Sequence, residues 1–208
     1  MLQRVSFPVA GTEVLGILHL PAGDAVGGVA VLPERSEDVE APHIVLVCDT
    51  LARAGVGAMR FGYHEPEPTV DSALADAAAA IRLLKAHPAL PERVGVVGFG
   101  FGAAVAAIGA GRDSRIRVAV LAAPPAEIGG SRRPLAEVTR TRARVLLLRG
   151  SRDAELSATE LERYSAVLSQ ARVTHRVLTI DGANHEFAPA GPRERMASEI
   201  AAWVRDSF

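Results

Sequence analysis

The sequence predicts a three-layer α/β fold, a mostly parallel sheet covered on both faces by helices and preceded by an antiparallel strand pair. Three observations carry this. From Gly28 onward, apolar runs of strand length alternate with segments of helical periodicity, the pattern of parallel strands joined by crossover helices. Runs such as Gly28–Leu32 and Val94–Val97 are apolar without interruption, as in strands buried on both faces. Ahead of them, Val5–Val9 and Glu13–Leu20 flank Ala10-Gly11-Thr12, a short glycine-containing connection suited to a hairpin.

The elements follow in order. After a turn over Pro21–Gly28, the strand Gly28–Leu32 runs into Pro33-Glu34-Arg35-Ser36. Pro42–Ala54 places Ile44, Val45, Val47, Cys48, Leu51 and Ala52 on one helical face; its β-branched run also suits a strand, and helix is the reading chosen. Val56–Phe61 is the next strand. Thr69–Ala86 is the clearest helix, with Val70, Ala73, Leu74, Ala77, Ile81 and Leu84 on one face, Thr69 as N-cap and His87-Pro88 as its stop. Ala103–Gly111 is a helix of almost wholly small residues. Ile116–Ala122, Val145–Arg149 and Thr174–Ile180 are strands, with a short excursion of lid type at Pro124–Arg142 and a helix at Ser157–Ala171. The last helix, Pro192–Ser207, carries Met196, Ile200, Trp203 and Val204 at helical spacing.

The chain has 208 residues, 49% of them hydrophobic, which suits one domain over residues 1–208 with a sizeable core. A formal net charge of -1 argues against a nucleic-acid binder. Lys85 is the only lysine, so Schiff-base chemistry would rest on one residue near a helix end. Cys48 is the single cysteine and has no internal disulfide partner. No basic segment followed by a long apolar run opens the chain, so a cytoplasmic protein without a membrane partner is expected.

In parallel sheets ligands bind at the carboxyl ends of the strands, so the loops after Leu32, Phe61, Val97, Ala122, Arg149 and Ile180 are expected to converge on one site. Three of them carry an ordered chemistry. Val94–Ala103 reads as strand, glycine-punctuated turn and helix, the form of a G-x-Nuc-x-G nucleophile elbow, but its central residue is Gly100, which has no side chain. An acid follows at Asp153 in Gly150-Ser151-Arg152-Asp153, and a histidine at His185 in Gly182-Ala183-Asn184-His185-Glu186-Phe187.

With that order of nucleophile position, acid and histidine, the sequence resembles the α/β-hydrolase fold. Within it the chain is most similar to the dienelactone hydrolase family, whose elbow reads G-x-C-x-G-G and whose histidine lies in a G-A-x-H-x-F context. The likeness runs from Gly28 to the final helix, and Gly98, Phe99, Phe101, Gly102, Asp153, His185 and Phe187 match the pattern. It implies that Glu34 lies beside the nucleophile position and that the amides of Arg35 and Phe101 form an oxyanion hole. It also implies an ester or lactone hydrolase acting on a small molecule without metal or other cofactor. Gly100 departs from the pattern at the atom that forms the acyl-enzyme.

Each feature also has a plainer reading. A glycine-rich strand-to-helix turn can bind phosphate, yet Gly98, Gly100 and Gly102 do not complete G-x-G-x-x-G because position 103 is alanine. Asp153 alone could cap a helix, and His185 alone could be a surface histidine. Cys48 reads as a buried helix thiol; Ser36 and Ser151 are the better candidates for a displaced hydroxyl. His64, in Gly62–Glu67, leaves a strand end that faces the site, as a candidate substrate contact or a solvated loop residue. Glu34, Asp153 and His185 could gather a metal, but no H-x-x-x-H or cysteine–histidine cluster is present. Arginines 132, 133, 140, 142 and 144 flank the excursion, where one could hold an acidic substrate.

Three functions stay open on the sequence: a hydrolase whose covalent step is lost, altered or removed by an engineered substitution at Gly100, an isomerase, lyase or cyclase using His185 as base, and a non-catalytic ligand-binding or interaction protein. Either a monomer or a homodimer is compatible with the sequence.

Overall fold

The computed structural model describes every residue except Ser36, Gly130 and Arg132. The displaced-hydroxyl expectation at Ser36 and the arginine expectation at Arg132 therefore lie outside the described residues.

Eight strands form one sheet. They are β1 (Leu2–Val9), β2 (Thr12–His19), β3 (Gly27–Leu32), β4 (Val56–Phe61), β5 (Val94–Phe99), β6 (Ile116–Ala122), β7 (Arg144–Gly150) and β8 (His175–Ile180), in the spatial order β1-β2-β4-β3-β5-β6-β7-β8. β1 and β2 pair antiparallel, as does β2 with β4, and every pairing from β4 to β8 is parallel. β3, β4 and β5 are buried along their whole length, as uninterrupted apolar runs require.

The helices are α1 (Pro42–Arg53), α2 (Val70–Ala86), α3 (Phe101–Arg112), α4 (Arg133–Val138), α5 (Ala158–Gln170) and α6 (Ala190–Ser207). The ambiguous segment after Pro42 is a helix. It has proline in its first turn and buries Ile44, Val47, Cys48 and Leu51, so the i, i+3, i+4 spacing outweighs its β-branched content. Thr69 caps α2 in a reciprocal capping box with Ser72, and Ser157 caps α5 in the same way with Glu160.

Two helix starts and one short helix differ from expectation. α3 begins two residues earlier, directly after Gly100, and α6 begins at Ala190. The excursion after Pro124 contains α4, too short a helix to leave a periodic signature.

The core is divided by the sheet. α1 and α6 pack with Val29, Val97, Val120 and Leu148 on one face, while α2, α3 and α5 pack with Ala30, Val96, Leu121 and Leu147 on the other. α3 fits only because its turn is glycine: a Cβ on Gly98 would run into the Gly102 carbonyl, and one on Gly102 into the Leu32 carbonyl. This close contact brings the first turn of α3 against the loop after β3, where Glu34 lies.

Candidate active site

Five of the six loops expected to converge do so. A cavity of about 560 Å³ is lined by residues following β3 (Glu34, Arg35, Glu37), β5 (Gly100, Phe101), β6 (Ala123, Pro125, Glu127), β7 (Glu155, Leu156) and β8 (His185, Glu186). The lid-type excursion contributes Ile128 and Gly129 to its wall, and Phe99 at the end of β5 lines it too.

His185 and Asp153 meet across the ends of β7 and β8. The ring Nδ1 lies 3.1 Å and 3.0 Å from the two Asp153 oxygens, so Nδ1–H donates and the neutral ring keeps its Nε2 lone pair. Asp153 is held in turn, its Oδ1 accepting from the amides of Glu155 at 2.9 Å and Leu156 at 2.8 Å. The carboxylate is fully buried and the imidazole about one-fifth exposed, so the pair is rigid at its base and open on the cavity side. The exposed Glu155 carboxylate lies 3.9 Å from Nε2.

The turn between β5 and α3 is sharply bent. Gly100 has φ +49° and ψ -114°, its N–H donates to the Ala122 carbonyl at 2.9 Å, and its carbonyl accepts the first amides of α3, from Ala103 and Ala104. A positive φ here strains any residue with a side chain, by about 1–3 kcal/mol in general, and such strain is common at functional turns. The position lies in the buried wall of the cavity.

Glu34 covers this turn. Its Oε2 accepts the Phe101 amide at 2.6 Å and its Oε1 accepts the Arg35 amide at 2.7 Å. Both amides expected to form an oxyanion hole are therefore bonded to one carboxylate. A Cβ on Gly100 would fall onto Glu34 Oε2, so the carboxylate and a side chain at position 100 compete for the same space. The Arg35 guanidinium stacks 4.3 Å over the Phe101 ring, beside the two amides.

His64 does not reach the cavity. β4 lies on the far side of β3 from β5, and the ring turns to the fully buried Asp76 of α2, with Nδ1 2.8 Å from Oδ1 and the His64 amide 3.2 Å from Oδ2. Burial raises the Asp76 carboxyl above its usual range in spite of these bonds. Ser151 is also engaged elsewhere, donating to Asp181 and accepting from the Gly182 amide. Cys48 is fully buried, and burial pushes its thiol pKa up, away from a reactive thiolate. Arg133 pairs with Asp71, Arg140 with Glu137, and Arg144 lies over Trp203.

Three residues join the site without having been singled out from the sequence. His43, in the first turn of α1, packs edge-on against Phe99 at 4.8 Å and lies 3.3 Å from Glu37. Glu37 also accepts the Glu34 amide at 3.3 Å. Tyr63 donates to the Pro33 carbonyl at 2.9 Å and packs on Phe101 at 5.7 Å, bracing the turn that presents Glu34. Burial, with the Glu34 charge adding to it, raises the Tyr63 hydroxyl well above its ordinary value and keeps it a neutral donor. The available signal for His43 was its place in the first turn of the crossover helix after β3, which the topology sets at the carboxyl ends of the strands.

Among the described residues, no group of three or more His, Cys, Asp or Glu could hold a metal ion, and no helix is long and apolar enough to cross a membrane.

The sheet order and the helices on both faces define an α/β-hydrolase fold. The family profile of dienelactone hydrolases matches residues 28–206, and the chain belongs to that dienelactone hydrolase family. Among solved structures it is similar to a dienelactone hydrolase from Anabaena variabilis, with a TM-score of 0.84, 18% identity and coverage of 100% of this chain and 98% of that one. Est1E from Butyrivibrio proteoclasticus gives 0.82 at 15% identity, covering 98% of each chain. The Pyrococcus furiosus esterase Pf2001 gives 0.83 at 18% identity, covering 100% of this chain and 93% of the other. Comparison with curated protein sequences gives no significant match.

Proposed function

We propose that this protein hydrolyses a small-molecule ester or lactone, with His185 as general base and without an acyl-enzyme at residue 100. The observation that carries this reading is the His185–Asp153 pair. Asp153 fixes Nδ1–H, and the ring lines a cavity large enough for a small molecule. Family membership and the hydrolase names of the structural relatives support the substrate class. In this reading His185 removes a proton from water as the water oxygen adds to the substrate carbonyl, then returns it to the departing alkoxide. The Phe101 and Arg35 amides can bind the developing oxyanion only when the Glu34 carboxylate withdraws, so turnover is slow compared with a serine or cysteine relative.

One observation favours a second reading. Residue 100 is a glycine with no side chain to form an acyl-enzyme, so the base at His185 can instead move a proton at carbon, as in an isomerase, lyase or cyclase. A non-catalytic binding role has no such observation behind it.

The test is hydrolysis of para-nitrophenyl acetate and of small lactones by the parent and by His185→Ala. The hydrolase reading requires a loss of roughly 10²–10⁴-fold in kcat/KM. Equal rates for the two proteins would refute it. Deuterium exchange into an acidic carbon of a bound ligand, dependent on His185 and without ester cleavage, would select the second reading.

A further inference from the structure

The Glu34 carboxylate takes the place of the side chain that Gly100 lacks. A Cβ at position 100 would stand little more than a C–O bond length from Glu34 Oε2, so that oxygen lies about as far from the Cβ position as a serine hydroxyl would. The carboxylate is held by main-chain amides on both oxygens, 2.7 Å from Arg35 and 2.6 Å from Phe101. Tyr63 and Glu37 fix the turn behind it. Glu34 and His185 line the same cavity.

We infer that Glu34 is the covalent nucleophile of this site, acting on a saturated carbon that carries an anionic leaving group. The inference rests on the reading of His185 as general base. In the first step a lone pair of Oε2 forms a bond to the carbon, the bond from carbon to the leaving group breaks, and the leaving group departs as an anion with the bonding pair. The Arg35 guanidinium, at the cavity wall over Phe101, meets that charge. The chain then carries an alkyl ester on Glu34.

In the second step water gives a proton to His185 Nε2 as its oxygen adds to Glu34 Cδ. The negative charge forms on a Glu34 carboxyl oxygen, where the amides already point. The alkoxide then leaves Cδ and takes the proton from His185. The carboxylic acid left behind releases its proton to solvent, which restores Glu34 with one oxygen from water. The sum is alkyl electrophile plus water to alcohol, anion and proton.

Two features select a saturated carbon over an acyl group. A carboxylate that attacks an ordinary ester is a better leaving group than the alkoxide it must expel, so the adduct reverts; displacement at saturated carbon has no such return. The amides also lie on Glu34's own oxygens, where they assist hydrolysis of a Glu34 ester, whereas attack on a substrate carbonyl gains them only after Glu34 has withdrawn.

The experiment uses the full chain and para-nitrobenzyl chloride. His185→Gln protein, unable to activate water, is expected to accumulate about one nitrobenzyl group per chain on the peptide bearing Glu34, detected by mass spectrometry. Adding Glu34→Gln or Gly100→Ala should cut that adduct at least about tenfold, the first by removing the nucleophile and the second by placing a Cβ where Oε2 stands. Circular dichroism confirms that each variant folds. In a single turnover in isotopically labelled water, the parent should carry the labelled oxygen in Glu34. A label found only in the alcohol, an adduct undiminished by both second substitutions, or no adduct on Glu34 overturns the assignment. His185-dependent cleavage of para-nitrophenyl acetate, measured alongside, separates the outcomes: if it persists, the general base stands and only the nucleophile has failed. If it too is missing, both have failed.

Discussion

Two histidine–aspartate pairs lie on opposite sides of strand β5, and they are nearly identical as pairs. His185 Nδ1 meets Asp153 at 3.0 Å, and His64 Nδ1 meets Asp76 at 2.8 Å. Each aspartate side chain is fully buried. Each outer nitrogen has an exposed glutamate just under 4 Å away, Glu155 in one case and Glu65 in the other. What differs is the surroundings. His185 lines a cavity together with Gly100, Phe101 and Glu34, whereas His64 is nine-tenths buried between a loop and α2. Pairing orients an imidazole and selects its tautomer in both; only the first has room for a substrate beside it.

Substitution of the two histidines breaks the comparison most sharply. His185→Ala should lower ester or alkyl-halide turnover by roughly 10²–10⁴-fold with little change in folding, because Asp153 keeps its bonds to the Glu155 and Leu156 amides. His64→Ala should leave turnover within about twofold of the parent and act on stability instead. It strips the side-chain partner from a fully buried aspartate, a loss of about 1–3 kcal/mol, seen as a melting temperature lower by roughly 3–10 °C. Loss of activity without loss of fold in His64→Ala would bring that pair into the reaction and end the distinction.

The next largest effect concerns position 100. Gly100→Ser puts a hydroxyl where the elbow pattern expects one, and its Cβ must displace the Glu34 carboxylate from the Phe101 amide. Hydrolysis of para-nitrophenyl acetate should rise about tenfold or more, since the oxyanion amides are freed together with the gain of a nucleophile. Adding His185→Ala should abolish the gain. A Gly100→Ser protein that folds and reacts no faster would show that Glu34 stays on the amides or that His185 cannot reach the hydroxyl.

Much of this was legible in the sequence, and the limits follow from range. Val94–Ala103, Asp153 and His185 are each recognisable within a few residues, and their placement after β5, β7 and β8 follows from the right-handed crossovers of a parallel sheet. Glu34 was reachable in the same way, from the end of β3. That its carboxylate bonds both amides depends on the close approach of α3 to the loop after β3, a contact between residues 67 apart in sequence. His64 shows the reverse case. It leaves a strand at the correct end, but the order β4-β3-β5 sets it one strand away from the elbow, and the acid that captures it belongs to α2. His43, Glu37 and Tyr63 stand in no motif; each joins the site through a partner on another element.

The smallest expected effect comes from a third histidine, which sharpens the comparison from outside the cavity. His19, at the end of β2, is almost wholly buried; its Nδ1 donates to Asp49 at 2.8 Å and its Nε2 accepts from Arg60 Nε at 2.9 Å. Arg60 also donates to the Val39 carbonyl at 2.8 Å and pairs with Glu40, so it anchors the far end of the loop that begins with Glu34. Burial lowers the His19 pKa below its ordinary 6.5, outweighing the Asp49 contact. The unfolded chain therefore binds this proton more readily than the folded one. His19's contribution to stability is complete above about pH 6.5 and is lost as pH falls from there through the folded value. Protonation also removes the lone pair that holds Arg60. Between pH 7 and pH 5 the melting temperature should fall, and His19→Gln should reduce that slope while leaving activity at neutral pH within about twofold, since the residue lies outside the cavity. A slope unchanged by His19→Gln would assign the acid sensitivity to other groups.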